Sequence, residues 1–255
     1  MNDSSNAPDL LVVDNIHTFI GQFHILEGVS LRVPKGSITV MLGRNGAGKT
    51  TTIKSIMGLT PPREGKIILD GMEIQGKQAF NIANLGIGYV PEHRAIFRSL
   101  SVMENLKLAE RKKGDLDRHA DFIFDLFPDL QRLYKLPGNH LSGGQQQMLA
   151  VARALVPENK LLLIDEPSEG LAPILIQQMM EAIRVLSENT TILLVEQNFI
   201  MASQLAKRFI IIDDGKSVQS GLMTDLVQDT ELIHHYLGAS IKTRQELEKF
   251  HEAEN

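Results

Sequence analysis

Along the chain, short β-branched runs alternate with stretches of helical spacing. Residues 10–13, 38–42, 66–69, 88–90, 161–164, 191–195 and 209–212 are apolar enough to predict strands buried on both faces. Interleaved with helices, they read as an α/β fold built on a largely parallel sheet. Between Leu10 and Leu69 strands outnumber helices, and Pro34-Lys35-Gly36 and Asp70-Gly71 supply turn chemistry. An antiparallel β flank is therefore expected at one edge, making the sheet mixed. From about 99 to 156 no strand pattern appears; Val102, Leu106 and Leu108, then Phe122, Phe124, Leu126 and Phe127, recur at roughly helical spacing. Because strands resume at Leu161, this stretch is expected to be a helical subdomain (99–156) inserted into a core formed by 10–98 and 157–238. The polar segment 239–255 carries only a weak stripe of Ile241, Leu247 and Phe250 and reads as a solvated tail, with a partner-binding helix as the alternative.

Composition removes several classes of function. A length of 255 residues suits roughly one to two domains at ~150 residues each. The balance of 26 basic against 31 acidic residues gives −5, and no local basic patch stands out, so nucleic acid is not an expected partner. With 0 Cys there is no disulfide framework, thiolate metal site or cysteine nucleophile, which fits a reducing compartment. No apolar run approaches the ~20 residues that cross a bilayer, and Met1 to Asp9 lacks the pattern of a signal peptide, so a soluble chain is expected.

The strongest chemical signal is Gly43-Arg44-Asn45-Gly46-Ala47-Gly48-Lys49-Thr50, placed between a predicted strand and a predicted helix over 51–57. That context is what a phosphate-binding P-loop requires. Glycines let backbone N–H groups approach phosphate oxygens, and the helix N-terminus adds about half a positive charge. Lys49 supplies a point charge for the β/γ-phosphates, and the Thr50 hydroxyl suits Mg²⁺, a hard cation. Thr51 continues the cradle. A second element, Leu161-Leu162-Leu163-Ile164-Asp165-Glu166, is a buried strand ending in two acids, and ligands of open parallel sheets sit at strand carboxyl ends. Asp165 is the expected Mg²⁺ ligand and Glu166 the expected general base for water attacking ATP. A third, Leu141-Ser142-Gly143-Gly144-Gln145, opens a predicted helix running to about Leu155 and offers a second anion site at its positive end. Lying in the helical insertion, it cannot easily reach the same γ-phosphate, so head-to-tail pairing of two subunits is the economical arrangement.

In this order the P-loop, the Leu-Ser-Gly-Gly-Gln signature and the Asp-Glu strand end resemble the ATPase subunit of ATP-binding cassette (ABC) transporters, over about 10–237. The resemblance implies two subunits sandwiching two ATP molecules, with Ser142, Gly143, Gly144 and Gln145 touching the ATP held by the partner's P-loop. It implies a second ABC ATPase subunit, identical or paralogous, integral membrane permease subunits and, indirectly, a periplasmic or extracellular solute-binding protein as partners. It implies a cytoplasmic location, peripheral on the inner face of the cell membrane. Three positions depart from the family pattern. Glu92 replaces the Gln that contacts Mg²⁺, keeping a metal ligand but adding negative charge. Gln197 stands where a His near the γ-phosphate is usual; it can donate a hydrogen bond but cannot become cationic. Ala172 replaces an Asp of the dimer interface. Together with Pro167-Ser168-Glu169-Gly170-Leu171-Ala172-Pro173 and Val195-Glu196-Gln197-Asn198, they are similar to the ATPases of branched-chain amino acid importers and of urea and amide importers. Adenine usually stacks on an aromatic residue near Gly21; Phe19 is the candidate here, with Ile20 packing beside it and ordinary core packing of Phe19 as the alternative. Ile96, Phe97 and Leu100, next to His93, Arg94 and Arg98, belong either to the groove for a membrane subunit or to internal packing. His234-His235 lack a third ligand and read as structural or exposed. The expected function is an ATP-hydrolysing importer subunit for branched-chain amino acids or a related solute. The alternatives are a soluble ABC clamp or scaffold, and a subunit that binds ATP while a paralogue hydrolyses it.

Overall fold

A computed structural model describes residues 7–238; the expected tail 239–255 lies outside the described residues. The chain opens with an antiparallel hairpin, β1 (Asp9–Ile20) and β2 (Phe23–Pro34), and continues through β3 (Ile38–Leu42), α1 (Lys49–Ile56), β4 (Glu64–Leu69), β5 (Met72–Glu73), α2 (Ala79–Asn84) and β6 (Ile87–Val90). A helical stretch follows: α3 (Val102–Lys107), α4 (Asp115–Leu126), α5 (Pro128–Arg132) and α6 (Gly143–Leu155). The remainder is β7 (Leu161–Asp165), α7 (Pro173–Ser187), β8 (Thr191–Val195), α8 (Phe199–Leu205), β9 (Arg208–Asp213), β10 (Lys216–Leu222), α9 (Met223–Gln228) and α10 (Thr230–Leu237).

The strands form two sheets, one of four in the order β2-β1-β4-β5 and one of six in the order β10-β9-β3-β8-β7-β6. The first is antiparallel throughout. In the second only β10 runs antiparallel. The fold is α/β with a mixed sheet and an antiparallel flank. Strand alternation divides the core in two. Val40, Leu42, Leu162, Ile164, Ile192 and Leu194 pack with α6, α7 and α8 on one face. Met41, Leu163, Leu193, Val195 and Ile210 face α1 and the antiparallel sheet on the other. Every residue of β3, β7 and β8 is buried, which explains their unbroken apolar runs. The helical stretch leaves β6 and returns to its parallel neighbour β7. Its base is held by the Arg111 guanidinium, which donates to the Ile87 carbonyl at 2.6 Å and to Asn159 Oδ1 at 2.8 Å.

Several sequence expectations need correction. The runs at 10–13 and 66–69 belong to the antiparallel flank and are not buried throughout: Lys66 is exposed, and Val12 and Ile68 are half-buried. Leu108 and Phe122, two of the residues at helical spacing, are exposed on the helical stretch. The helix after the P-loop begins at Lys49, not at 51. The strand β10 has no apolar signature because it is an edge strand with mostly exposed residues.

Candidate nucleotide site

Three adjacent parallel strands, β3, β7 and β8, end side by side and release their loops at one edge of the sheet. The first loop is the Gly-rich turn into α1. Its tightness is set at Gly43, φ 151°, where a Cβ would overlap the carbonyl oxygen of Ile212 on β9. Asn45, Gly46, Gly48, Lys49, Thr50 and Thr51 line a cleft of about 280 Å³. Gly43, Arg44 and Ala47 stand behind it. The Arg44 side chain turns away to the carbonyl of His235 on α10, at 2.9 Å, and the Ala47 N–H is used inside the loop, on the Arg44 carbonyl.

Lys49 is 4% exposed. Its Nζ donates to the carbonyls of Gly43 at 3.0 Å and Arg44 at 3.1 Å, and lies 3.4 Å from Glu166 Oε1. Glu166 holds φ 47°, an uncommon conformation for a residue with a side chain, and its N–H is fixed to the Val195 carbonyl at 2.9 Å. Its other oxygen accepts from Gln197 Nε2 at 2.6 Å. Thr50 Oγ1 donates to Asp165 Oδ1 at 3.2 Å, while Asp165 Oδ2 is buried without a partner. Burial, the largest cause, together with the charges of Glu166 and Glu92 pushes the Asp165 carboxyl up to about 6. Glu92 completes this side of the cleft.

The cleft thus presents three carboxylates, Glu92, Glu166 and Glu169, against one ammonium, with the buried Asp165 joined to it through Thr50. Such a cleft repels a bare polyanion, and the orphaned Asp165 oxygen beside Thr50 fits a hard divalent cation that shares its sphere with phosphate oxygens. Among the described residues no group of three or more His, Cys, Asp or Glu forms a self-sufficient metal site, the exposed His234 and His235 included.

The signature residues lie elsewhere. Ser142 caps α6 in a reciprocal box with Gln145, and Gly144 packs where a Cβ would overlap a Leu175 methyl. None of Ser142, Gly143, Gly144 and Gln145 lines the cleft. Phe19 does not line it either: its ring stacks on His24 at 4.1 Å with the Arg63 guanidinium 4.2 Å above. Strand alternation turns its neighbours Ile20 and Phe23, paired across the hairpin, to the opposite side, where Thr18 Oγ1 meets Ser55 of α1 at 2.9 Å. Ile96 packs against the core, whereas Phe97 is exposed beneath the Arg153 guanidinium.

Sequence reading missed Ile25 and Glu169, both lining the cleft, and gave no role to Glu196. Glu196 is 1% exposed, and its carboxylate accepts from Ser168 N–H and hydroxyl and from the N–H groups of Gln197 and Asn198. Burial raises its carboxyl above the ordinary range despite these four donors. A carboxylate closing a strand carries no sequence signal for such contacts.

The family model described as "ABC transporter" matches residues 26–169. The high-affinity branched-chain amino acid transport ATP-binding protein BraG of Pseudomonas aeruginosa is 39% identical, over 90% of this chain and 100% of its own length. The lipopolysaccharide export system ATP-binding protein LptB of Escherichia coli K12 is 33% identical, over 86% and 92%. The crystal structure of an ATP-binding cassette of an ABC transporter in its ADP conformation superposes with a TM-score of 0.79 at 25% identity, over 91% of this chain and 100% of that one.

Proposed function

The chain belongs to the ABC transporter family of ATPases, and from that premise we propose that it is the ATP-hydrolysing subunit of an importer for branched-chain amino acids or a related small solute. One observation carries the catalytic part. The Lys49 ammonium, the Thr50–Asp165 pair and the Glu166–Gln197 pair converge on one cleft, while the Ser142 helix cap stands outside it. The cap is then free to close on the nucleotide of a second molecule, identical or paralogous. The solute follows from BraG and from the Glu92, Ala172 and Gln197 pattern; LptB, an export-system relative, keeps the family broader than the solute. Membrane-spanning subunits would supply the pathway, placing this chain at the cytoplasmic face. Among the described residues no helix is long and apolar enough to cross a membrane.

In this reading Lys49 exchanges its contacts with the Gly43 and Arg44 carbonyls and Glu166 for phosphate oxygens. That exchange frees Glu166, still steered by Gln197, to take the proton of the attacking water. Gly46, Gly48 and Thr51 present backbone N–H groups to the phosphates at the start of α1. Thr50, Asp165 and Glu92 would hold Mg²⁺, which supplies charge neutralisation on the triphosphate when bound. The base is placed beside Ile25, the hairpin residue that lines the cleft, with Ile20 and Phe23 on the hairpin side away from Phe19 as the nearer platform.

The test is Glu166→Gln. It keeps the size and shape of the side chain while removing its basicity, so ATP binding and pairing persist while hydrolysis falls by about 10²–10⁴-fold, the usual contribution of a general base. Near-normal turnover removes Glu166 from that role. Recovery of only soluble partners after gentle detergent extraction would favour a scaffold over a transporter subunit.

A further inference from the structure

We infer that Glu196 is a positioning residue for hydrolysis, bracing the loop that follows Glu166 against the loop that carries Gln197; this rests on the reading of Glu166 as the base. Three consecutive residues at the end of β8 grip the segment leaving β7. The Val195 carbonyl accepts from the Glu166 N–H at 2.9 Å, the Glu196 carboxylate takes both the N–H and the hydroxyl of Ser168, and Gln197 Nε2 donates to the Glu166 carboxylate at 2.6 Å. Within the Glu196 group the division is sharp. Oε1 accepts from Ser168 N at 3.1 Å; Oε2 accepts from Ser168 Oγ at 3.0 Å and from the N–H groups of Gln197 and Asn198, each at 3.1 Å.

A buried carboxylate is costly, and apolar packing at such a position is often no worse for stability. Here its two oxygens face four donors drawn from both loops, an arrangement that neither an apolar residue nor an amide satisfies. The strained φ at Glu166 needs surrounding structure that over-determines it, and the clamp at Ser168, two residues on, provides it. The segment it holds goes on to Glu169, which lines the nucleotide cleft. Glu196 itself is not among the residues lining the cleft and acts through Glu166 and Gln197.

Glu196→Gln and Ser168→Ala in the full chain test this, with ATP affinity, kcat and KM measured beside Glu166→Gln and Gln197→Ala. Glu196→Gln turns one acceptor into a donor facing donors, and kcat is expected to fall about tenfold or more with KM within about twofold. Ser168→Ala removes one bond at a half-buried position and should lower kcat by a smaller factor, again without moving KM. Combined with Gln197→Ala, Glu196→Gln should add little, because both act on the same carboxylate. Parental kcat in both variants, an equal loss of ATP affinity and turnover, or full additivity with Gln197→Ala overturns the inference. If Glu196→Gln fails to fold, Ser168→Ala decides it by the same split. Normal turnover in Glu166→Gln instead sinks the base assignment, whatever Glu196 does.

Discussion

At Asp165 the electrostatics set function against stability. Its carboxyl, raised to about 6 from 3.8, binds a proton more tightly in the folded chain than in the unfolded one. Its contribution to stability therefore falls as pH rises from about 3.8 to about 6 and stays at its least favourable level above that. Asp165→Asn should raise the melting temperature of the metal- and nucleotide-free chain at about pH 7.5, by an amount that shrinks as pH is lowered through 6 towards 4, while Mg²⁺-dependent turnover is lost. Thermal melts across that range check it, and a pH-independent shift contradicts the burial account. The hairpin offers a second residue-level test: Phe23→Ala should raise KM for ATP several-fold and Phe19→Ala should leave it near parental, the reverse outcome restoring Phe19 as the base platform. Lys49, Asp165 and Glu166 were legible in the sequence because each closes a recognisable strand–loop pattern. The side taken by Phe19 was not, since it depends on the irregular β1–β2 pairing that leaves Ile25 unpaired. Nor was the role of Glu196, whose partner Ser168 lies 28 residues away.

The elements themselves divide into those the hydrophobic pattern announces and those it hides. Strands β3, β7 and β8 announce themselves, because burial on both faces demands unbroken apolar runs. By contrast β10 and the two-residue β5 lie at sheet edges, exposed, and offer the pattern nothing to act on. On the helical stretch Leu108 and Phe122 keep helical spacing but face outwards, so periodicity placed the helices without fixing which of their apolar residues are buried. For α6 the decisive feature is its start. Ser142→Ala removes one half of the capping box and should cost about 1 kcal/mol of stability. Under the proposed pairing, in which the hydroxyl serves the other molecule's nucleotide, it should leave ATP binding by the same chain's P-loop unchanged while lowering turnover. Calorimetric melts and nucleotide titrations separate the two effects; weakened binding in isolated chains would place Ser142 on its own site instead.

For the whole molecule, the arrangement leaves the α6 cap away from the cleft of its own chain. The cleft at the ends of β3, β7 and β8 is lined by Lys49, Thr50, Glu166 and Gln197, with Asp165 behind Thr50, and the residues of the α6 cap do not line it. Two chains placed head to tail would give each cleft a cap. The central claim is therefore that hydrolysis belongs to a pair, and specific ATPase activity measured against protein concentration, with mass followed by light scattering in the same samples, tests it most directly. Activity per chain should rise with concentration together with an ATP-dependent shift from 28.3 kDa to about twice that mass, as ligand-linked association requires. Constant activity per chain from a monomer across the range would contradict it.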